Sequence, residues 1–435
     1  MIHEIIPQRS FLSDILRRVT WAGLGQAGKG RADQGLPAQC HDLLLDPSEA
    51  SRLVRAQRIL DLLDDQTPEA LRDFFAVLAG EFGADDAALQ KAIAAWAPGD
   101  TAAARRIHFA AEPASQELIR ALNSVPGATA RLVRLREALL AHVAGDPALA
   151  GLDQDFQHLF ASWFNRGFLE IRRIDWSTPA NILEKIIAYE AVHEITGWDD
   201  LRQRVGDPDR RLFAFFHPAM PSEPLIFVEV ALERDIPGAI SPILNVDRDR
   251  MAAEQATTAV FYSISNCQNG LRGISFGNFL IKQVVAELQR ELPQLATFVT
   301  LSPVPGLRRW AERAVQGDDP ALPEDLRQAL HPVIAAKQAP GPDLAQRLAA
   351  VYLTGARHPK GRILDPVAHF HLGNGAMLHR IHADADPSAR GMENAWGVMV
   401  NYLYVAPKIE TNHEAYAAKH QVIASSEVKG LAGLR

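Results

Sequence analysis

The feature of this sequence that most constrains its fold is a strand–helix–strand pattern between residues 260 and 301. Residues 260–265 and 297–301 are short runs rich in β-branched and aromatic side chains, which is typical of strands. Residues 279–292, which separate these two runs, carry apolar side chains at helical spacing. A strand, a helix and a second strand in this order form a βαβ unit. The pattern therefore predicts a sheet on which at least one helix packs.

Further helices and strands are predicted on both sides of this unit. The chain before residue 165 has helical periodicity, and the order Thr67, Pro68, Glu69 caps a helix start and suits the positive end of its dipole. The helical pattern continues from residue 167 to 206, and further helices are predicted over residues 308–352, 376–381 and 414–434. The other predicted strands are residues 212–216, 225–232 and 398–405. This order predicts an α+β chain, in which an all-helical bundle precedes a sheet-containing domain.

Composition and charge exclude several classes of protein. The chain has 435 residues, of which 47% are apolar and 22% charged, and these values are typical of globular proteins rather than disordered ones. The formal net charge of −7 argues against nucleic acid as a partner. The most apolar stretch, residues 212–232, is interrupted by three prolines, two glutamates and a histidine, so it is not expected to cross a membrane.

The cysteines and the N-terminus indicate the cellular compartment in which the protein is expected. Cys40 and Cys267 lie far apart and form no CxxC pair, which favours a reducing compartment over a disulfide framework. Residues 1–10 lack the apolar segment of a signal peptide. We therefore expect a cytoplasmic protein.

A glycine-rich loop joins the two halves of the βαβ unit. Gly270, Gly273 and Gly277 would let the backbone approach a ligand closely, and free N–H groups at the start of the following helix attract phosphate. Arg272 would add a positive charge. The loop resembles a pyrophosphate cradle, although it contains neither a Walker nor a Rossmann motif. The alternative is a turn that only packs the helix against the sheet.

The same loop contains a G-x-S-x-G pattern centred on Ser275. Asp365 and either His369 or His371 follow it in the chain order of a hydrolase triad. A nucleophile elbow requires a strand that ends directly before the serine, whereas the predicted strand ends near Ser265. The pattern therefore favours a hydrolase only weakly.

Two further segments carry residues with chemistry. The histidines of residues 358–382 include His369 and His371, which would point the same way if extended, but no metal motif has their spacing, so we expect no metal site. Ser302 stands at the end of a predicted strand, before two prolines and Gly306. Ligands of α/β folds usually lie at such strand ends, although a serine there also caps backbone groups.

Together these segments resemble malonyl-CoA decarboxylase. The motifs that carry the resemblance are FYSIS at 261–265, GLRG at 270–273, GNFLIK at 277–282, LSPVPG at 301–306, DPVAHFHLGNG at 365–375 and VNYLY at 400–404. The resemblance covers residues 165–435 well and the helical region loosely. It implies a helical domain over residues 1–165, through which a homo-oligomer would assemble, and a GNAT-like catalytic domain over residues 166–435. It also implies a role in fatty acid and malonate metabolism.

The resemblance also implies the functional residues. Ser302 and His371 match the family's catalytic serine and histidine. The residues expected to contact malonyl-CoA are Ser263, Gly270, Arg272, Gly273, Ile274, Ser275, Phe276, Gly277, Asn278, Asn374 and Tyr404. Neither a metal ion nor an organic cofactor is expected. The alternatives are an acyl-CoA N-acyltransferase, a serine hydrolase that uses Ser275, and a regulator that binds acyl-CoA without turnover.

Overall fold

The computed structural model describes residues 35–274, 280–317 and 319–434, which form two compact units. The first unit contains the described residues up to Leu169, together with His217–Glu223 and residues 268–274. The second unit contains Glu170–Phe216, Pro224–Cys267 and the described residues from 280 onwards. No helix in these ranges is both long and apolar enough to cross a bilayer.

The first unit is helical, as the periodicity predicted. Its helices are α1 (Leu36–Leu45), α2 (Glu49–Asp64), α3 (Pro68–Glu81), α4 (Asp86–Ala94), α5 (Thr101–Ala110), α6 (Ala114–Leu122), α7 (Ala128–Val143) and α8 (Ala150–Trp163). Polar side chains cap several of these helices. The Thr67 hydroxyl accepts a hydrogen bond from the Ala70 amide, and Asp85 accepts from the amides of Ala87 and Ala88. The predicted start of α3 is therefore confirmed.

A buried ion pair lies between α7 and α8 in the helical unit. The Arg136 guanidinium donates to Asp153 at 2.8 Å, and it also donates to the carbonyl of Gly270 at 2.6 Å. Gly270 belongs to a short 3-10 turn, Asn269–Leu271, that packs on α7. A Cβ atom at position 270 would lie 1.9 Å from the carbonyl oxygen of Val133. Only glycine fits at this position because the two backbones are in direct contact.

The second unit contains an eight-stranded mixed sheet. Its strands are β1 (Glu170–Ile174), β2 (Arg210–Phe216), β3 (Ile226–Glu233), β4 (Thr258–Asn266), β5 (Thr297–Thr300), β6 (Ser302–Pro303), β7 (Met377–His382) and β8 (Met399–Tyr404). The order across the sheet is β1-β2-β3-β4-β5-β8-β6, and β7 also pairs with β8. Strands β4 and β5 run parallel, and the other pairings are antiparallel.

The second unit also contains helices. They are α9 (Ala180–Tyr189), α10 (Trp198–Gly206), α11 (Ser241–Leu244), α12 (Leu280–Glu291), α13 (Leu307–Gln316), α14 (Glu324–Ala335), α15 (Pro342–Gly355), α16 (Pro366–Gly373), α17 (Ala389–Ala395), α18 (Ile409–Lys419) and α19 (Ser426–Leu431). The apolar faces of α9 and α10 pack on β2 and β3, where Ile186 and Leu201 join Ala214 and Phe227 in one core cluster. The predicted βαβ unit is β4–α12–β5, and the predicted α+β class is confirmed.

Three predicted helical segments are wrong. Residues 170–174 form the strand β1, because pairing with β2 overrides the weak local preference of a charged segment. Residues 377–382 form β7, whose pairing with β8 buries Leu378 and Ile381 despite a register shift between them. Residues 414–434 do not form one helix, since α18 ends where His420 adopts a left-handed conformation and α19 starts afresh at Ser426.

Candidate active site

Strand β6 and helix α16 bring Ser302 and His371 together. The Ser302 Oγ atom lies 3.2 Å from Nε2 of His371, although 69 residues separate them along the chain. The two residues are only 5% and 3% exposed. The Ser302 hydroxyl also donates to Oγ1 of Thr300 at 2.8 Å. A serine and a histidine thus meet in a buried, polar site.

The local sequence explains why Ser302 is held in place. Strand β6 is only two residues long, and Ser302 pairs there with Val400 of β8. The two prolines that follow restrict the backbone dihedrals of the turn, which leads directly into α13. The Thr300 hydroxyl is itself fixed, since the Tyr402 amide donates to it at 3.1 Å. The serine side chain is therefore anchored by the sheet on one side and faces the histidine on the other.

Two tyrosines of β8 contact His371. The Tyr404 Oη atom lies 2.9 Å from His371 Nδ1, and the Tyr402 ring stacks on the imidazole with centroids 4.7 Å apart. Residues two apart on a strand lie on the same face, which is why both tyrosines reach the same imidazole. Thr300 and Ser302 are also two residues apart. The sequence reasoning missed Thr300 and Tyr402, and this two-residue spacing beside Ser302 and Tyr404 is the signal that could have found them.

Burial sets the protonation of this cluster. It lowers the pKa of His371 to about 3, so the imidazole is neutral near pH 7. Burial also raises the pKa of Tyr404 above its usual value, so the phenol keeps its proton. The Ser302 hydroxyl donates its proton to Thr300, so its oxygen accepts from His371. The tautomer of His371 that agrees with these bonds carries its proton on Nε2 and accepts from Tyr404 at Nδ1. The site holds two adjacent donors, the serine hydroxyl and the imidazole N–H.

Asn374 lies at the end of α16, close in the chain to His371. Its side-chain amide donates to the Phe370 carbonyl at 2.7 Å, and it is 3% exposed. Its Oδ1 atom is buried without a hydrogen-bond partner among the described residues. A buried acceptor without a partner is costly, which makes this oxygen available to a donor on a bound molecule.

Ser263 lies in a different polar cluster of the sheet unit. Its hydroxyl bonds to the Glu190 carboxylate, at 2.8 Å to one oxygen and 2.9 Å to the other. The same carboxylate accepts from the backbone amides of Val192 and His193 and from the Ser265 hydroxyl. Glu190 thereby ties the loop after α9 to strand β4. The structure does not bring Ser263 into hydrogen-bond contact with Ser302 or His371.

The glycine-rich loop falls partly outside the described residues. Gly270, Arg272, Gly273 and Ile274 belong to the helical unit, where Gly270 packs against α7, Ile274 is buried and Arg272 is exposed. Gly273 has a φ of +86°, which favours glycine. Ser275, Phe276, Gly277 and Asn278 lie outside the described residues, so the triad pattern centred on Ser275 has no described geometry.

The histidines near the site are occupied by other bonds. Nδ1 of His369 lies 2.8 Å from Oη of Tyr416, and Nε2 of His382 lies 2.6 Å from Oδ1 of Asn401. His369 and His371 lie on a helix rather than in an extended segment, so the suggested common direction does not arise. Within the ranges that the structure covers, no three His, Cys, Asp or Glu side chains are grouped as metal ligands would be.

The fold and the site define an α+β protein that contains a buried serine–histidine–tyrosine chain of hydrogen bonds. Comparison with known proteins gives the family. The C-terminal domain model of malonyl-CoA decarboxylase matches residues 167–434, and the N-terminal domain model of the same family matches residues 82–164. The chain belongs to the malonyl-CoA decarboxylase family.

Individual relatives agree with this assignment. The mitochondrial malonyl-CoA decarboxylase of Anser anser anser is 36% identical over 359 residues, which cover 74% of this chain and 70% of that protein. A crystal structure of malonyl-CoA decarboxylase from Rhodopseudomonas palustris is 51% identical, with a TM-score of 0.86 over 91% of this chain and 98% of that one. A second, from Agrobacterium vitis, is 50% identical, with a TM-score of 0.84 over 91% and 99%. The family recognised from the motifs is confirmed.

Proposed function

We propose that this chain converts malonyl-CoA to acetyl-CoA and CO2 through an enolate intermediate, without a metal ion or an organic cofactor. Membership of the malonyl-CoA decarboxylase family supports the substrate and the overall reaction. The observation that carries the proposed chemistry is the 3.2 Å contact between Ser302 Oγ and His371 Nε2, in a site from which water is largely excluded.

The reaction makes three demands on the protein. The bond between the carboxylate carbon and the α-carbon breaks, CO2 leaves, and the electron pair stays on the α-carbon as an enolate with charge on the thioester oxygen. A donor must stabilise that oxygen, and a water-poor environment must favour loss of the charged carboxylate. An acid must then deliver one proton to the α-carbon, which completes the methyl group of acetyl-CoA. The enzyme recovers that proton from solvent.

Ser302 and His371 divide these tasks. The Ser302 hydroxyl, or backbone N–H groups, would stabilise the thioester oxygen, and His371 would contact the departing carboxylate and supply the proton. A neutral imidazole suits this role, because it donates through Nε2 while Tyr404 donates to Nδ1 and can replace the proton that leaves. The free Oδ1 of Asn374 and the Tyr404 hydroxyl are the proposed substrate contacts on this side.

The remaining predicted contacts concern the CoA moiety. We assign the residues of the glycine-rich loop, from Gly270 to Asn278, to the recognition of the CoA pyrophosphate, with Arg272 as its positive charge. The exposure of Arg272 is consistent with this role. Substitution of Arg272 by Ala should raise KM for malonyl-CoA more than it lowers kcat. The proposal also retains Ser263 as a substrate contact, and an unchanged KM in Ser263→Ala would remove it.

Identification of the product tests the proposed reaction. Purified, EDTA-treated protein is incubated with malonyl-CoA, and the products are determined by mass spectrometry. We expect acetyl-CoA and CO2, with a loss of rate on the order of a hundredfold or more in Ser302→Ala and in His371→Ala. Circular dichroism of both variants should match that of the unmodified protein.

Ser275→Ala is the matched control for Ser302→Ala. Because Ser275 belongs to the loop assigned to CoA recognition, this variant should at most raise KM and leave kcat nearly unchanged, whereas a hydrolase that uses Ser275 would lose kcat and would release free CoA and malonate. Dependence on added metal would overturn the cofactor-free mechanism. The absence of any turnover would favour an acyltransferase or a regulator that binds acyl-CoA.

The proposed function also includes the oligomeric assembly and the cellular location of the protein. We assign a homo-oligomer built through an N-terminal helical domain of residues 1–165, with catalysis in residues 166–435, and a cytoplasmic location. The cited Anser relative is named as mitochondrial, so location needs its own test. Light scattering of the full chain and of variants with charged substitutions on the helical surface would test the assembly.

A further inference from the structure

Asp365 begins the helix that carries His371. It is the N-cap residue of α16, and its Oδ1 atom accepts a hydrogen bond from the Ala368 amide at 2.8 Å. Its side chain is fully buried, which is unusual for a carboxylate. His371 lies in the last turn of this eight-residue helix. The direction in which α16 leaves its cap therefore determines where the imidazole lies.

The second oxygen of Asp365 faces a different segment. Oδ2 has no hydrogen bond of standard geometry among the described residues, and the polar groups around it include the Tyr352 hydroxyl and the Gly306 amide. Tyr352 is 1% exposed and lies on α15, where its ring packs on Trp310 of α13 at 5.1 Å. The rigid packing of this ring fixes the position of its hydroxyl.

Gly306 closes the turn that follows Ser302. A Cβ atom at this position would lie 2.3 Å from Oη of Tyr352 and 3.9 Å from Oδ2 of Asp365. No real Cβ atom tolerates a contact of 2.3 Å, so the turn can approach α15 only because residue 306 is glycine. Gly306 is followed by Leu307, the first residue of α13. The turn after Ser302 and the cap of α16 therefore meet beside the buried side chain of Tyr352.

We propose that Gly306, Tyr352 and Asp365 form a clamp that sets the separation of Ser302 and His371, and that Asp365 is a positioning residue for the reaction. This inference rests on the proposed decarboxylase function for its kinetic consequence. One end of the clamp holds the turn four residues after Ser302, and the other end holds the helix that carries His371. None of the three residues touches the reacting atoms in this scheme. They act through the 3.2 Å contact between the serine and the imidazole.

A double-substitution test shows whether a larger residue at position 306 acts through its contact with the Tyr352 hydroxyl. Gly306→Ala should lower kcat for malonyl-CoA by about tenfold to a hundredfold, with KM changed by no more than about threefold, because the reacting groups are displaced rather than the binding surface. Tyr352→Phe removes the hydroxyl that the Cβ atom of Gly306→Ala would contact. The nearest remaining atom to that Cβ position is Cζ of residue 352, at 3.3 Å. The double variant should therefore be faster than Gly306→Ala alone. Equal rates in the single and double variants would overturn the clamp.

Substitution of Asp365 tests the other end. Asn caps a helix as well as Asp does, whereas Ala does not. We expect Asp365→Asn to retain most of its kcat and Asp365→Ala to lose about tenfold or more, again with KM nearly unchanged. If Asp365→Ala folds and retains full kcat, Asp365 has no positioning role. If KM rises in parallel with the loss of kcat, the residue acts in binding instead.

A measurement that does not depend on turnover keeps the clamp testable. In protein labelled with 15N-histidine, the ring nitrogens of His371, assigned by comparison with His371→Gln, report its tautomer and hydrogen bonds. Gly306→Ala should shift the Nε2 signal, and the added Tyr352→Phe should return it. An Nε2 signal that Gly306→Ala leaves unshifted would overturn the clamp even if the rates change. Failure of the unmodified protein to produce acetyl-CoA would reject the proposed function, while these signals would still decide the clamp.

Discussion

Oη of Tyr404 lies 2.9 Å from Nδ1 of His371, on the edge of the imidazole opposite the nitrogen that faces Ser302. The imidazole is therefore held between a phenol and a serine hydroxyl, all three of them buried. Such a chain of hydrogen bonds fixes the tautomer of the histidine and can pass a proton through the ring. The order of donors along this chain has consequences that kinetic experiments can check.

The first prediction concerns the Tyr404 hydroxyl. Tyr404→Phe removes the donor to His371 Nδ1, and we expect kcat for malonyl-CoA to fall by about tenfold to a hundredfold, because the imidazole loses its orientation and its proton supply. Tyr402→Phe is the matched control. The Tyr402 ring stacks on the same imidazole, but its hydroxyl has no partner among the described residues, so its removal should cost far less. Steady-state kinetics of both variants would decide, and equal losses would contradict the proposed relay.

The second prediction concerns the pH dependence of the rate. Burial lowers the pKa of His371 to about 3, so this side chain stays neutral across the range in which an exposed histidine titrates. We therefore expect a profile of kcat against pH without an inflection from His371 near pH 6.5. The profile is measured together with the 15N signals of the His371 ring. A rate that falls as the pH rises, in step with deprotonation of this ring, would show that the imidazole works as a cation.

The third prediction concerns stability and the charge of Asp365. Burial raises the pKa of this carboxyl from 3.8 to about 6, so the folded state favours the protonated form. This contribution to stability is complete below about pH 4 and is lost as the pH rises through about 6, with a magnitude of about 3 kcal/mol. Asp365→Asn cannot ionise, so this loss of stability with rising pH is absent from the variant. In urea titrations, the free energy of unfolding of Asp365→Asn minus that of the unmodified chain should therefore increase as the pH rises from 4 to 7. A difference that does not vary with pH would show that the Asp365 carboxyl has an ordinary pKa.

The fourth prediction concerns the helical unit. Gly270→Ala would place a methyl carbon against the Val133 carbonyl, at a position where two backbones are in contact. We expect a loss of stability of about 1–3 kcal/mol or more, measured by urea unfolding. Gly80→Ala is the control within the same unit, since Gly80 lies in α3 and a Cβ atom there would meet nothing within 4 Å. That substitution should be neutral or stabilising by up to about 1 kcal/mol. Comparable losses in both variants would contradict the packing role of Gly270.

Strands were predicted correctly from the sequence where the local pattern and the tertiary environment agree. The strands that became β2, β3, β4 and β8 are nearly fully buried runs of apolar and aromatic residues, and such runs have few alternatives to a central strand. Prediction failed at β1 and β7. Strand β1 is partly exposed and strongly charged, and β7 contains two histidines and an arginine, so neither has a local signal as strong as the pairing that forms it.

In the candidate site, too, the sequence identifies some features and only the tertiary structure shows the others. Ser302, His371 and Tyr404 were identified through motifs, and their spacing along the chain says nothing of the distances between their side chains. Ser263 belongs to one of these motifs, yet its hydroxyl donates a hydrogen bond to the Glu190 carboxylate. The glycine at position 270 suggested a ligand, and in the helical unit it serves the close approach of two backbone segments. Motifs identify residue types, whereas hydrogen-bond partners depend on the elements that converge in space.

What the sequence alone determined is the helical first unit, the strands β2, β3, β4, β5 and β8, the βαβ unit and the family, because periodicity, caps and motifs are local properties of the chain. Only the tertiary structure decided that the imidazole of His371 lies between Ser302 and Tyr404, that burial keeps it neutral, and that Gly306, Tyr352 and Asp365 come close together. The reason is physical. Burial and donor geometry depend on strands β6 and β8 and helices α15 and α16, which are far apart in the chain and become neighbours only when the core packs.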